Sequence, residues 1–249
     1  MKFAGKTILV VGGSSGIGRS TAIELARRGA SLIIVGRNQE YLSETLGFIK
    51  NSFPDVDHFG YVFDLTDPNS VNLLINKLER IDGLVYSAGI QKVSPLQFIS
   101  NDDFHEVQFV NSYVPLFITR EIVKLKIISK GSSIVFISSV SGTRVGSKGL
   151  ISYSASKSSL LGTAKSLAIE LSKLKIRVNC VLPGMIKDTR LNNIDSFSSE
   201  QIEIDKKRYP LGDYGTCEDV SNAIVFLLSD LSRYITGSEI VIDGGFTLN

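Results

Sequence analysis

The chain has 249 residues, 43% hydrophobic and 21% charged, a mix that excludes a disordered protein and allows a sizeable core. A formal net charge of +2 argues against nucleic acid as the main partner. Only two cysteines, Cys180 and Cys217, exclude a disulfide-built secreted scaffold and point to a reducing compartment.

The first apolar run, Ile8 to Val11, is too short for a signal-peptide core, and no stretch approaches the about 18 apolar residues of a membrane helix. A cytoplasmic protein without membrane contact is therefore expected. No repeat or Pro/Gly/Ser-rich linker divides the chain, so residues 1–249 are expected to form one domain.

Short β-branched runs alternate with longer helical patterns. Thr7–Val11 reads as a strand, and Ile17–Arg28 as a helix stopped by Gly29. Ser31–Val35 is the second strand, Asn38–Lys50 the second helix and Tyr61–Phe63 the third strand. Asp67 followed by Pro68 predicts an N-cap and a proline at the first helical position. Further strands are expected at Gly83–Tyr86, Ser133–Ser138, Arg177–Leu182 and Glu239–Ile242. Runs such as LIIV and IVFI suit a parallel sheet buried on both faces, and the alternation predicts an α/β, doubly wound sandwich. In such sheets ligands bind beyond the carboxyl ends of the strands.

Chemistry is sought there. The first strand runs into Gly12, Gly13, Ser14, Ser15, Gly16, Ile17 and Gly18, then a helix. Glycines let backbone approach a pyrophosphate, and the helix start offers free N–H groups and a favourable dipole. A glycine-rich turn with no ligand has the same local pattern. The second strand ends at Arg37, 19 residues beyond Gly18, with no acidic residue at 35–37. An arginine there pairs with a ribose 2′-phosphate where an acid would bond a 2′-hydroxyl, which favours NADP(H) over NAD(H). Asp64, with Leu65, either contacts the adenine or only satisfies backbone groups at its strand end. Tyr153 and Lys157 stand four apart and share a helix face, so an ammonium is expected to lower the phenol's pKa and fit it for proton transfer. A serine hydroxyl, Ser139, follows the fifth strand and can hold a substrate oxygen.

In this order, Gly12-x-x-x-Gly16-x-Gly18, Asn111, Ser139, Tyr153-x-x-x-Lys157, Pro183-Gly184 and Asp243-Gly244-Gly245 resemble the short-chain dehydrogenase/reductase family, from Gly5 to Phe246. The resemblance implies a Rossmann-type fold with a seven-stranded parallel sheet and a catalytic set of Asn111, Ser139, Tyr153 and Lys157. Tyr153 would protonate a carbonyl oxygen, Lys157 would bond the nicotinamide ribose, Ser139 would orient the substrate, and Asn111 would kink its helix and hold a relay water. Ser87, Ala88 and Gly89 would flank the adenosine ribose, with Pro183, Gly184, Ile186 and Thr189 along the nicotinamide. Residues 185–212 would form a substrate lid. Four departures stand out: Val11 replaces a threonine, Tyr86-Ser87-Ala88-Gly89 replaces Asn-Asn-Ala-Gly, the Ser139–Tyr153 spacing is one residue longer, and Thr189 comes one place late, leaving Asp188 as an alternative.

The pattern is also similar to the 3-oxoacyl-acyl-carrier-protein reductases of that family. A basic face for an acidic carrier would then fall on Lys124, Lys126, Lys130, Lys173 and Lys175, although lysines at helix ends are favoured by the dipole alone. Arg144 and Lys148 hint at an anionic substrate; a free sugar or other small ketone, or a non-catalytic NADP(H) sensor, are the alternatives. No Cys/His/Asp cluster suggests a metal. Apolar helix faces within 101–128 and 152–171 imply, by the resemblance, a homotetramer or homodimer.

Overall fold

Alternate side chains of the first strand, β1 (Thr7–Val11), enter two separate cores: Leu9 and Val11 one, Ile8 and Val10 the other. This is the two-residue period of a strand whose sheet is covered on both faces. The computed structural model describes residues 1–189 and 198–248. Seven strands follow the order β3-β2-β1-β4-β5-β6-β7, all parallel, with β2 at Ser31–Gly36, β3 at His58–Val62, β4 at Ile81–Tyr86, β5 at Ile128–Ile137, β6 at Arg177–Pro183 and β7 at Glu239–Ile242. Helices α1 (Gly16–Arg27), α2 (Gln39–Ser52) and α8 (Cys217–Leu228) cover one face. Helices α3 (Pro68–Lys77), α5 (Val114–Lys124) and α6 (Ile151–Glu170) cover the other. Two shorter helices, α4 (Asn101–Gln108) and α7 (Ser199–Lys206), complete the set used below. The connections reverse direction between β1 and β4, which opens a crevice at their carboxyl ends.

Local signals place the elements. Gly29, at φ +87°, ends α1, and its N–H donates to Ala26 O at 2.8 Å. The Asp67 carboxylate accepts from Asn69 N at 2.9 Å, with Pro68 opening α3. Most boundaries differ from the sequence expectation by one or two residues, and three differences are larger or change the element type. β3 begins at His58, because pairing with Leu32–Gly36 sets its register and half-exposed Phe59 hides the alternation. β5 begins at Ile128; the register shifts between Ile81 and Gly83 of β4, and the irregular Lys130-Gly131 segment reads as a loop in sequence. Between α4 and α5 the helix widens into a π turn at Phe109–Tyr113. Among the described residues no helix is long and apolar enough to cross a membrane. Cys180 and Cys217 are both free thiols.

One buried cation closes the second core. Arg177, at the start of β6, donates through Nη1 to Leu227 O (2.7 Å) and Ser232 Oγ (2.9 Å), and through Nη2 to Ser229 O (3.1 Å). It thereby satisfies carbonyls at the end of α8, where a positive charge also suits the dipole. Arg177→Met is expected to lower stability by about 1–3 kcal/mol through loss of these charge-assisted bonds, while Leu227 O keeps the Ser133 hydroxyl and Ser229 O the Ser232 hydroxyl as donors. Chemical denaturation would read it; a loss within experimental error would remove this role.

Candidate active site

The crevice is a cleft of about 1420 Å³ running from the end of β2 to α7. Its first wall is built by backbone contact. A Cβ on Gly12, which has φ +83°, would stand 2.4 Å from the Ala88 nitrogen, so the loops after β1 and β4 touch directly. Both hang on β1: Ser87 N and Ala88 N donate to Val11 O at 2.8 and 3.0 Å. Gly18 lies behind this wall, its missing Cβ replaced by Gly12 O, and it serves helix–loop packing rather than lining the cleft. The other sequence-predicted cofactor residues line it. Ser15 caps α1 without a side-chain hydrogen bond, so the first N–H groups of the helix stay open to an anion. Arg37 is exposed at the rim and makes no hydrogen bond or ion pair among the described residues. Asp64 Oδ1 accepts from Thr66 N (3.0 Å) and Thr66 Oγ1 (2.9 Å), which ties that carboxylate into its own turn. A loop that admits no Cβ, an open helix start and an unpaired guanidinium fit a dinucleotide with a phosphorylated ribose.

The reacting end lies beyond β5 and β6. Ser138 and Ser139 divide their work: the Ser138 hydroxyl donates to Lys157 O at 2.7 Å, while Ser139 Oγ accepts from Ser141 N at 3.1 Å and is hydrogen-bonded with Tyr153. Lys157 is buried and donates through Nζ to Ile137 O at 2.8 Å. An ammonium has three protons, so two others remain for groups in the cleft. Thr189 sits over the glycine loop, its Cγ2 facing the vacant side of Gly16 at 3.7 Å. Asp188, at φ +58°, does not line the cleft, whereas Thr189 does despite its late position.

Asn111 stands behind the wall. Its Oδ1 accepts from Ile90 N, and its Nδ2 donates to Ile90 O and Ser156 Oγ, all at 2.9 Å. It lies in the π turn, tying the loop after β4 to α6, and both amide protons are already used. Tyr86, in place of a family asparagine, is fully buried and donates to Val110 O at 2.6 Å. It thus anchors the same π turn from the sheet side, a role no local sequence signal reveals.

A family model described as enoyl-(acyl carrier protein) reductase matches residues 11–247. The chain belongs to the short-chain dehydrogenase/reductase family. It is 35% identical over 245 residues to the 3-oxoacyl-acyl-carrier-protein reductase FabG of Rickettsia bellii, covering 98% of each chain. It is 28% identical to the angucycline C-6 ketoreductase LanV solved with bound NADP, at a TM-score of 0.90, covering 100% of this chain and 98% of that one. A putative NAD(P)-dependent gluconate 5-dehydrogenase from Beutenbergia cavernae aligns at 29% identity and a TM-score of 0.90, covering 100% of this chain and 99% of that one. The protein is therefore an oxidoreductase, and the expected α/β, doubly wound seven-stranded fold is the one observed.

Several expectations need correction. Burial, not the neighbouring ammonium, dominates Tyr153: it pushes the phenol up to about 12, opposed only by the hydrogen bond with Ser139. Lys157 Nζ lies 5.7 Å from the ring centroid, and its own pKa falls to about 8 through burial. At neutral pH Tyr153 is thus a protonated donor. Arg144 is bound to Glu239 at 2.9 Å and does not line the cleft, whereas Lys148 does. Lys124, Lys126, Lys130, Lys173 and Lys175 lie at or near the amino ends of β5 and β6, the far end of the sheet from the cleft. Of the 185–212 lid, residues 190–197 lie outside the described residues; Ile202, Ile204 and Arg208, on or just after α7, line the cleft. An aromatic group at this end went unread in sequence: Tyr209 stacks on Phe246 at 4.9 Å and meets Tyr214 edge-on at 5.2 Å.

The buried ammonium carries a stability cost. Its pKa falls from 10.5 to about 8, which corresponds to about 3 kcal/mol against the charged native form. Between these values the unfolded chain holds a proton that the native state has lost, so native stability rises with pH there. Lys157→Met is expected to be more stable than the unaltered protein at pH 7, the difference shrinking as pH rises towards about 10. Denaturation at both pH values reads this, and a difference independent of pH would contradict it.

Proposed function

We propose that this protein is an NADPH-dependent reductase of a carbonyl group, with a 3-oxoacyl group carried on an acyl-carrier arm as its substrate. The observation that carries the proposal is the buried Tyr153 phenol, hydrogen-bonded with Ser139 and one helical turn from Lys157, on the wall of a dinucleotide-shaped cleft. Support for the substrate comes from full-length similarity to proteins named 3-oxoacyl-acyl-carrier-protein reductase, and for the cofactor from Arg37 and from the NADP-bound ketoreductase.

NADPH, when bound, supplies a hydride to the carbonyl carbon. The chain's residues do the rest. Gly12, Ser14, Ser15, Gly16 and Ile17, with the start of α1, hold the pyrophosphate, and Arg37 pairs with the 2′-phosphate. Asp64, Leu65, Ser87, Ala88 and Gly89 flank the adenosine. Pro183, Gly184, Ile186 and Thr189 line the nicotinamide end. Lys157, already fixed by Ile137 O, offers its remaining protons to the ribose hydroxyls. The Ser139 hydroxyl holds the substrate oxygen while Tyr153 donates its proton to it, completing the alcohol. Asn111 is a positioning residue, because its amide protons are spent on Ile90 and Ser156. We place the enzyme in the cytoplasm as a homotetramer or homodimer, with exposed Tyr113 and Leu116 in the apolar helix face as the support.

Tyr153→Phe is expected to lower kcat by about 10²–10⁴ while NADPH affinity stays within about twofold. NADPH oxidation with a 3-oxoacyl thioester and a fluorescence titration give the two readings; near-unaltered turnover would remove Tyr153 as the acid. Arg37→Asp is expected to weaken NADPH binding about tenfold or more and to leave NADH binding much less affected. Equal losses for the two cofactors would mean that Arg37 does not read the 2′-phosphate.

A further inference from the structure

The loop between Ser139 and Tyr153, one residue longer than the family pattern, carries two cations with different fates. Arg144 is paired at 2.9 Å with Glu239, which it shares with Lys165, and it does not line the cleft. Lys148 lines the cleft, is exposed, and makes no hydrogen bond or ion pair among the described residues. Other charges at this end are compensated or sealed. Asp205 accepts from Arg208 Nη1 (2.8 Å) and from the Tyr214 hydroxyl (2.9 Å), and the Arg208 guanidinium lies 4.6 Å from the Phe246 ring centre. Lys157 is buried against Ile137 O. Lys148 is therefore the one solvent-exposed charge lining the reacting half without a counter-ion among the described residues; Lys157, which also lacks one, is buried.

Its backbone is held on both sides. Ser147 Oγ is hydrogen-bonded with Ser141 Oγ at 3.0 Å, and Gly149 O accepts from Ser94 N at 2.9 Å. Gly149 takes φ +76° and packs against Val93, where a Cβ would stand 3.0 Å from its Cγ1. The ammonium thus projects from a pinned turn. Val93, Val145, Leu150, Ile202 and Ile204 supply apolar lining to the same cleft, Val93 packing against Gly149 next to Lys148. An unpaired cation over apolar walls suits a molecule with an apolar part and one anion.

We infer that Lys148 binds an anionic group of the carbonyl substrate, remote from the reacting oxygen, while the apolar walls take its uncharged part. This rests on the carbonyl-reductase reading above. If the substrate is carrier-borne, the anion is the phosphate of the phosphopantetheine arm; a small oxo acid would present a carboxylate to the same ammonium. Lys148 is thus a specificity residue and takes no part in hydride or proton transfer.

The test compares 3-oxobutanoyl-phosphopantetheine with 3-oxobutanoyl-pantetheine, which differ only by the phosphate. Lys148→Met is expected to lower kcat/KM for the phosphorylated thioester by about fivefold to tenfold more than for the other, mainly through KM, and Lys148→Arg to restore most of it. Calorimetric binding of the matching 3-hydroxybutanoyl thioesters is expected to show the same split without turnover, weakening as salt rises. Equal losses for both thioesters, or none, would overturn the inference while leaving the reductase reading intact. If neither thioester is reduced, the carrier-borne substrate fails instead. A small oxo acid and its methyl ester then decide: a Lys148-dependent preference for the acid supports the inference with carboxylate as the source, and no preference overturns it.

Discussion

The hydrogen bond from Lys157 Nζ to Ile137 O is the constraint on which the candidate site depends. It joins the second turn of α6 to the carboxyl end of strand β5. The Ser138 hydroxyl repeats the link in the opposite direction by donating to Lys157 O. Together they fix the rotation of α6 against the sheet, and with it the place of Tyr153 one turn earlier. The ammonium is held where solvent is excluded, at a cost to stability, because a desolvated donor with spare protons can bind ribose hydroxyls more firmly than one already hydrated. Folding and function therefore pull this one residue in opposite directions.

A second layer keeps the first in register. Asn111 and Tyr86 both end on the π turn or its neighbours, one bonding Ile90 and Ser156, the other Val110. An α-helical turn would pair every backbone group locally; the widened turn instead takes bonds from strand and helix side chains. Tyr86 supplies the strand-side bond to this turn through its hydroxyl. What the arrangement needs is a buried donor at the end of β4 that reaches the turn, and a phenol is long enough to provide it.

Much of this was legible in the sequence because it rests on local rules. Gly12 and Gly16 announce close backbone approach in a turn, Asp67-Pro68 announces a helix start, and apolar runs such as LIIV announce a strand buried on both faces. Tyr153 and Lys157 are legible as a pair because helical spacing puts them together. What was not legible depends on partners distant in sequence. The acceptor for Lys157 is a backbone carbonyl, which has no residue signature. The acidity of Tyr153 follows from how much protein surrounds the ring, and no spacing rule reports that. Arg144 and Lys148 look alike in sequence, yet Glu239, almost a hundred residues further on, neutralises only one.

The same accounting orders the cleft from end to end. Arg37 lies exposed at one rim, where a strong cation can recognise a phosphate at the water boundary without the penalty of burial. Tyr153 and Lys157 lie buried at the other end, where low dielectric strengthens each hydrogen bond and raises the cost of any charge left unpaired. A phenol in that setting keeps its proton until a neighbouring oxygen gains negative charge, and on the proposed function it would give the proton up only as reduction proceeds. A donor with ordinary acidity, open to water, would exchange with solvent at any time. On the proposed function, burial would make the proton available at the moment of reaction, and the Ser139 hydroxyl, bonded with the phenol, would mark the place of the reacting oxygen.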